Sequence, residues 1–204
     1  MTTANDPAIW YLGINRKLPR LQHHNLFFDA PFDTHADAIY GTPGLPDKPL
    51  FYVCAPSVTD NSVAPPGHEN LFILVPLSTE LPDSESVRRA CFEKVMTRLE
   101  KFTDVPVREH IDYARSYAMQ DFKDDYNALR GNAYGLANTL MQTATLKPRI
   151  RSSKVSNLFF AGQLTVPGPG VPPALISGEI AADLIRKSTL NQKPQTSRHA
   201  TAPL

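Results

Sequence analysis

Apolar residues in this chain gather in short runs separated by turn-forming residues, and the runs predict strands. Ile9-Trp10-Tyr11-Leu12-Gly13-Ile14 is rich in aromatic and β-branched residues and predicts the first; His24-Asn25-Leu26-Phe27-Phe28 predicts the second. Leu50–Ala55 and Asn70–Val75 predict two more, joined by the turn-rich segment 56–68. These two runs are continuously apolar, the pattern of strands buried on both faces. Pro76 follows directly, so the fourth strand is expected to end there or to lie at a sheet edge. Asn157–Ala161 predicts a fifth strand.

Elsewhere the period changes. Val87, Cys91, Val95, Leu99 and Phe102 recur every three or four residues and predict a helix over 83–102 with one buried face. Asp83 or Ser84 is its expected cap, and Pro106 stops its continuation. Phe32–Tyr40 predicts a short helix capped by Asp33 or Thr34, Gln120–Leu129 another, and Pro172–Lys187 the last. In the last helix Leu175, Gly178, Ala182 and Ile185 share one face, where the small residues allow close approach of a neighbour. Arg88, Glu93, Lys94, Arg98 and Lys101 are expected on a solvated face, as are Asp121, Asp124 and Asp125. Tyr117, Tyr126 and Tyr134 fit half-buried aromatics that could border a pocket. From Ser188 onward the chain is rich in Gln, Thr, Ser and Pro without periodicity, which predicts a disordered tail over 188–204.

Composition narrows the classes. The 204 residues carry 21 Lys+Arg against 20 Asp+Glu, so net charge gives no reason to propose a nucleic-acid partner. The 42% hydrophobic content suffices for a packed core, and the fold class read from the elements is mixed α/β (α+β). Cys54 and Cys91 form no C-x-x-C pair; both lie in apolar segments and are expected as buried thiols, which fits a reducing compartment. His23, His24, His35, His68, His110 and His199 show no ligand spacing, so surface or locally bonded histidines are expected and no metal site is assigned. The first residues lack the pattern of a secretory signal, and the purest apolar run, Leu71–Leu77, is too short to span a bilayer.

The segment richest in chemistry is N-L-F-F-A-G-Q-L-T-V-P-G-P-G-V-P-P-A-L-I-S-G, residues 157–178. A strand would deliver the chain to Gly162, where a missing Cβ lets another group approach the backbone. Gly168 and Gly170 alternate with Pro167 and Pro169, and Pro172 and Pro173 suit the first turn of the following helix. The N-terminus of that helix favours an electron-rich or anionic group. Pro173 stands where G-x-G-x-x-G needs its third glycine, no G-K-[ST] follows, and no G-x-S-x-G occurs, so neither nucleotide fingerprint nor hydrolase elbow is supported.

That segment closely resembles the C-terminal flavin motif of bacterial-type phytoene desaturases, FAD-dependent carotenoid desaturases of the amine-oxidase-like flavoprotein superfamily. W-Y-L-G-I-N-R-K-L-P-R-L-Q-H-H-N-L-F-F, P-L-F-Y-V-C-A-P-S-V-T-D, A-P-P-G-H-E-N-L-F-I-L-V-P and R-G-N-A-Y-G-L resemble the family in the same order, so the likeness covers about residues 9–187. The family's N-terminal G-x-G-x-x-G has no counterpart here. Gln163 stands where many members carry an acidic residue.

The resemblance implies the C-terminal part of a two-domain fold. Residues 1–130 would be part of a substrate-binding domain with a mostly antiparallel sheet. Residues 131–187 would be the C-terminal part of the FAD-binding domain, including its last strand and helix. It implies FAD as cofactor, with Gly162 and Gln163 beside the ribityl–pyrophosphate chain and Gly170, Val171 and Pro172 against the pyrimidine edge of the flavin. The implied reaction is dehydrogenation of a carotenoid polyene lying along the 9–75 sheet, in an enzyme inactive without its N-terminal half. A catalytically silent remnant or binding module is the alternative, or another family reaction such as that of a carotenoid isomerase, ketolase or retinol saturase. The implied partners are the polyene, a separate N-terminal half and a membrane surface, and the implied location is cytoplasmic and peripheral to the membrane. No catalytic residue is assigned.

Overall fold

The structure, a computed structural model, describes residues 6–137, 140–143 and 146–190. The chain divides into two compact units, 1–137 and 138–204.

The first unit is built on a five-stranded sheet. Strands β1 (Asp6–Ile14), β2 (His24–Phe27), β3 (Phe51–Cys54), β4 (Glu69–Leu77) and β5 (Ile111–Tyr117) lie in the order β2-β3-β4-β1-β5. Every neighbouring pair is antiparallel. Three helices accompany the sheet: α1 (Phe32–Tyr40), α2 (Glu85–Thr103) and α3 (Met119–Tyr126). The mixed architecture and the antiparallel sheet agree with the sequence reading.

Register decides the core. Trp10 pairs with Ile73, Leu12 with Leu71, and Val53 with Ile73, so one face collects Ala8, Trp10, Leu12, Ile14, Phe51, Val53, Leu71, Ile73 and Val75. These join Cys91, Val95, Met96 and Leu99 of α2 in a single cluster, and Trp10 lies 5.8 Å from Phe92 between ring centroids. The other face is not buried to the same degree. Along β4 buried and half-buried residues alternate, and β3 does the same. The expectation of strands buried on both faces is therefore corrected: α2 covers one side only, and the continuous apolar runs hide a two-residue alternation.

Three further strand readings change. Pro76 neither ends β4 nor lies on an edge strand; it pairs with Pro7, and β4 is central. Its carbonyl accepts a hydrogen bond from His35 Nε2 at 2.7 Å, away from β1, so its missing N–H points to the same side. β3 pairs with β4 only as far as Leu74, and no ladder bond is lost there. β5 was not legible because Asp112, Arg115 and Ser116 break its apolar pattern; it is an edge strand with mostly exposed side chains. Residues 157–161 form no strand; a single bridge joins Arg151 and Phe159.

The helices match in place and differ in detail. Pro31 precedes α1 and no side chain caps it, whereas Asp33 sits inside the first turn, where its charge favours the helix dipole. Ser84 caps α2, its hydroxyl accepting from the Val87 N–H. Phe102 is 42% exposed and leaves the buried face to Met96 and Thr103, meeting Phe27 edge-on at 5.3 Å. α3 ends before Leu129 because Asn127 turns left-handed at φ 51°.

Several charges expected in solvent are tethers instead. Arg88 binds both oxygens of Asp83, at 2.6 and 2.7 Å, and Asp121 at 2.7 Å, so α2 is tied to the start of α3. Arg98 binds Asp29 and the Pro49 carbonyl and lies 4.9 Å over the Phe51 ring. Lys94 reaches Asp47 and the Pro46 carbonyl. Asp125 accepts from the Tyr117 hydroxyl at 2.7 Å. His35, read as surface or locally bonded, is 3% exposed. It accepts from the Leu50 N–H on Nδ1 and donates from Nε2 to Pro76, which clamps α1 to β3 and β4.

Two predictions follow from these contacts. Gly131 has φ 77°, and a Cβ there would fall 2.4 Å from the Met119 carbonyl oxygen. Gly131→Ala should cost about 2–4 kcal/mol through backbone strain and overlap, read as a fall in denaturant midpoint. Asp83 loses solvation by burial, but the Arg88 guanidinium and the Gln120 N–H outweigh this and hold its carboxyl below the usual range. A depressed carboxyl contributes stability above its unfolded value, about 4, and loses it as pH falls through the folded value. Asp83→Asn should therefore be less stable at neutrality and show a shallower loss of Tm between neutrality and about pH 3.

Candidate functional site

The half-exposed face of the sheet carries two rows of side chains set by the register. Leu26, Tyr52, Leu74, Ile9 and Tyr117 form one row across all five strands; His24, Cys54, Phe72, Tyr11 and Arg115 form the other. Their rings make a continuous aromatic path. Centroids lie 6.0 Å apart for His24 and Tyr52, 6.3 Å for Tyr52 and Phe72, and 5.5 Å for Phe72 and Tyr11. Arg115 carries the one permanent charge on these rows, and its guanidinium lies 5.9 Å from the Tyr117 ring centre. Such a surface accommodates a long apolar ligand by contact area and offers little polar recognition.

At one end of this face α1 overhangs a cleft of about 290 Å³. Phe28, Phe32, Ile39 and Tyr40 line it on one side and Tyr52, Leu74 and Pro76 on the other. Phe28, Phe32 and Tyr40 are each more than 60% exposed.

Cys54 is half-buried on the open face, not enclosed as expected, because the strand alternation turns it away from α2. It lies opposite His24, and one donor atom from each of His23, His24 and Cys54 falls within 4.8 Å of the others. Burial first, then a hydrogen bond with Cys54 and its charge, pushes the Tyr52 phenol up to about 12. Tyr52 therefore stays protonated beside His24, whose Nδ1 is 2.6 Å from the phenol oxygen. The spacing of His and Cys along the chain carried no signal of this cluster, since only strand pairing brings residues 23–24 to residue 54.

The second unit holds the glycine–proline loop and α4 (Val171–Leu190). The helix begins one residue before the expected start and runs through residues 188–190, which the sequence reading gave to a disordered tail; 191–204 lie outside the described residues. Gly162, Gly168 and Gly170 all have positive φ, at 108°, 137° and 107°. The Gly162 N–H donates to Ser177 Oγ at 2.7 Å, and that hydroxyl donates to the Ala174 carbonyl at 2.6 Å, which fastens the loop to the first turns of the helix. Thr165, 2% exposed, donates to the Pro148 carbonyl, and the Lys147 stem packs under Gly168.

A Cβ on Gly162 would meet nothing within 4 Å, so the backbone there is open to a ligand. Pro172 and Pro173 have no N–H, and the Ala174 N–H is bonded to the Gly170 carbonyl. Val171 alone thus offers a donor in the first turn. The buried face of α4 is Ser177 and Ala181, flanked by Ala174 and Leu184. The predicted face is the open one, with Leu175 71% and Ile185 45% exposed. Apolar residues nearly encircle this helix, so periodicity did not choose between its sides.

The first unit thus presents an open apolar sheet face, and the second a glycine–proline loop that leads into a helix. Comparison with known proteins narrows the class. Over 184 residues the chain is 45% identical to a carotenoid 3,4-desaturase of Haloarcula japonica, covering 90% of this chain and 37% of that protein. It is 34% identical to an all-trans-zeta-carotene desaturase of Myxococcus xanthus (87% and 34% covered) and 32% identical to a 4,4'-diapolycopene oxygenase of a Methylomonas species (87% and 36%). A scan against protein-family models found no match. The chain is homologous to the carotenoid desaturases of phytoene-desaturase type, and it spans little more than a third of the length of these relatives.

The two thiols should be separable by reactivity. Burial pushes the Cys91 thiol up to about 12 and encloses it at 0% exposure. A thiol reagent should label one equivalent, Cys54, in the native protein and the second only with denaturant, as mapped by peptide mass spectrometry. Native labelling of Cys91 at a comparable rate would contradict this packing.

Proposed function

We propose that this chain supplies the C-terminal part of an FAD-dependent carotenoid desaturase. The observation that carries this reading is the pair of apolar surfaces left open, the outer sheet face and the Leu175–Ile185 side of α4, in a chain homologous to about a third of each relative. In this reading residues 1–130 belong to the substrate-binding domain and residues 131–187 to the FAD-binding domain. The polyene lies along the rows from Leu26 to Tyr117 and from His24 to Arg115. The remaining part of the enzyme covers both surfaces and completes the cofactor site.

The loop residues fit their part of that cofactor. Gly162 and Gln163 would border the ribityl–pyrophosphate chain, where the open backbone at Gly162 excludes no atom of it. Gly170, Val171 and Pro172 would lie at the pyrimidine edge, with the Val171 N–H and the positive end of α4 opposing negative charge there. When bound, FAD supplies the two-electron acceptor chemistry for removing two hydrogens from a saturated carbon–carbon bond. The chain's own contribution is to orient the polyene by area on the aromatic rows and to exclude water from it.

Extreme apolarity of the substrate supports delivery from lipid and a peripheral membrane contact. No described helix is long and apolar enough to cross a membrane. The exposed Phe28, Phe32 and Tyr40 around α1 are the residues suited to such a contact. The oxygenase among the relatives favours a second reading, in which the same surfaces present a polyene for oxygenation. Product analysis of the completed enzyme separates the two.

The test is a flavin-fluorescence titration of FAD with the 204-residue chain, repeated with a supplied N-terminal Rossmann half. The chain alone should bind weakly, because the missing charge-assisted hydrogen bonds are each worth about 1.5–3 kcal/mol. The mixture should bind tightly, and Gly162→Leu or Gly170→Leu should abolish that binding. Stoichiometric tight binding by the chain alone would overturn the division of the site between two parts.

A further inference from the structure

We propose that His23, His24 and Cys54 form a binding site for a transition-metal dication of the zinc class. Two imidazoles and a thiolate are a donor set that suits such an ion, and the open fourth position would take water or another small ligand. One donor atom from each residue already lies within 4.8 Å of the others, a separation that small side-chain rotations close to coordination geometry. The proposal does not depend on the polyene reading.

The backbone holds these residues in place before any ion arrives. His24 is paired with Cys54 in the β2–β3 ladder. His23 precedes β2, and its carbonyl accepts from the Ala55 N–H at 2.8 Å, which fixes it against the end of β3. Because His23 lies outside the strand, the two neighbouring histidines escape the opposed orientation of consecutive strand residues. Their ring centroids are 4.3 Å apart.

Both rings are already oriented by hydroxyl partners. His23 Nδ1 lies 2.6 Å from Thr59 Oγ1, and His24 Nδ1 lies 2.6 Å from the Tyr52 hydroxyl. Each ring thereby engages Nδ1 with a hydroxyl, and ligation through Nε2 would keep these contacts as a second layer of hydrogen bonds that sets ring orientation and tautomer. The site sits at the β2 end of the open sheet face. His24 is exposed and His23 and Cys54 are half-buried, so an ion can enter and solvent can reach the fourth position.

Cobalt is the probe. Titrating the reduced 204-residue chain with Co2+ should give visible bands of a four-coordinate ion and a thiolate-to-cobalt charge-transfer band, saturating at one equivalent and displaced by Zn2+. Cys54→Ser should remove the charge-transfer band, His24→Ala should weaken binding, and Cys91→Ala should leave the spectrum unchanged. Tyr52→Phe, which keeps the ring and removes the outer hydrogen bond, should weaken affinity by about 10-fold to 100-fold. In the unmodified chain, saturating Zn2+ should slow alkylation of Cys54 at least about tenfold relative to chelator-treated protein, so the result does not rest on any variant folding. Absence of the charge-transfer band at excess Co2+, its survival in Cys54→Ser, or zinc-independent alkylation of Cys54 would each overturn the site and leave a metal-free hydrogen-bonded cluster.

Discussion

The antiparallel register of β1 and β4 is the constraint on which the first unit depends. Pairing Trp10 with Ile73 sends Ala8, Trp10, Leu12 and Ile14 toward α2 and leaves Ile9 and Tyr11 on the other side. A slip of one residue would exchange the two sets, exposing the indole and burying a tyrosine against the helix. The observed register packs Trp10, Leu12 and Ile14 into one cluster with Cys91, Val95 and Leu99 of α2.

Everything placed on the open face inherits that register. The aromatic path from His24 to Tyr11 exists because alternate residues of four strands fall into line. The same alternation brings Cys54 out of the core and beside His24. α1 is held over one end of this face by His35, whose two ring nitrogens are both used, so a residue that looked like an ordinary surface histidine is a buried clamp. The ion pairs of Arg88 and Arg98 then fasten α2 to the segments flanking the sheet.

The second unit uses a different device. Three glycines at positive φ bend the loop, and one serine hydroxyl, enclosed and bonded in both directions, ties Gly162 to the first turns of α4. The prolines remove two of the early helix donors and leave the Val171 N–H as the donor of the first turn. That economy of donors suits a group bound mainly by shape and dipole, in keeping with the flavin edge proposed for it.

What the sequence determined by itself was local. The apolar runs located four strands of the sheet, the four-residue recurrence located α2, and the glycine–proline motif located the loop before α4. The ordered motifs showed the kinship with carotenoid desaturases. Each of these is written in neighbouring residues and needs no knowledge of what lies opposite. The tertiary structure decided the rest. β5 forms because β1 offers it an edge, despite Asp112 and Arg115 in its pattern. Among the described residues, 157–161 make one bridge, from Phe159 to Arg151, because strand formation needs a partner that an apolar run does not itself supply. The buried side of α4 is Ser177 and Ala181, since contacts rather than periodicity choose among nearly equivalent apolar faces. His23, His24 and Cys54 meet only through strand pairing across some 30 residues of chain, a distance over which spacing carries no information.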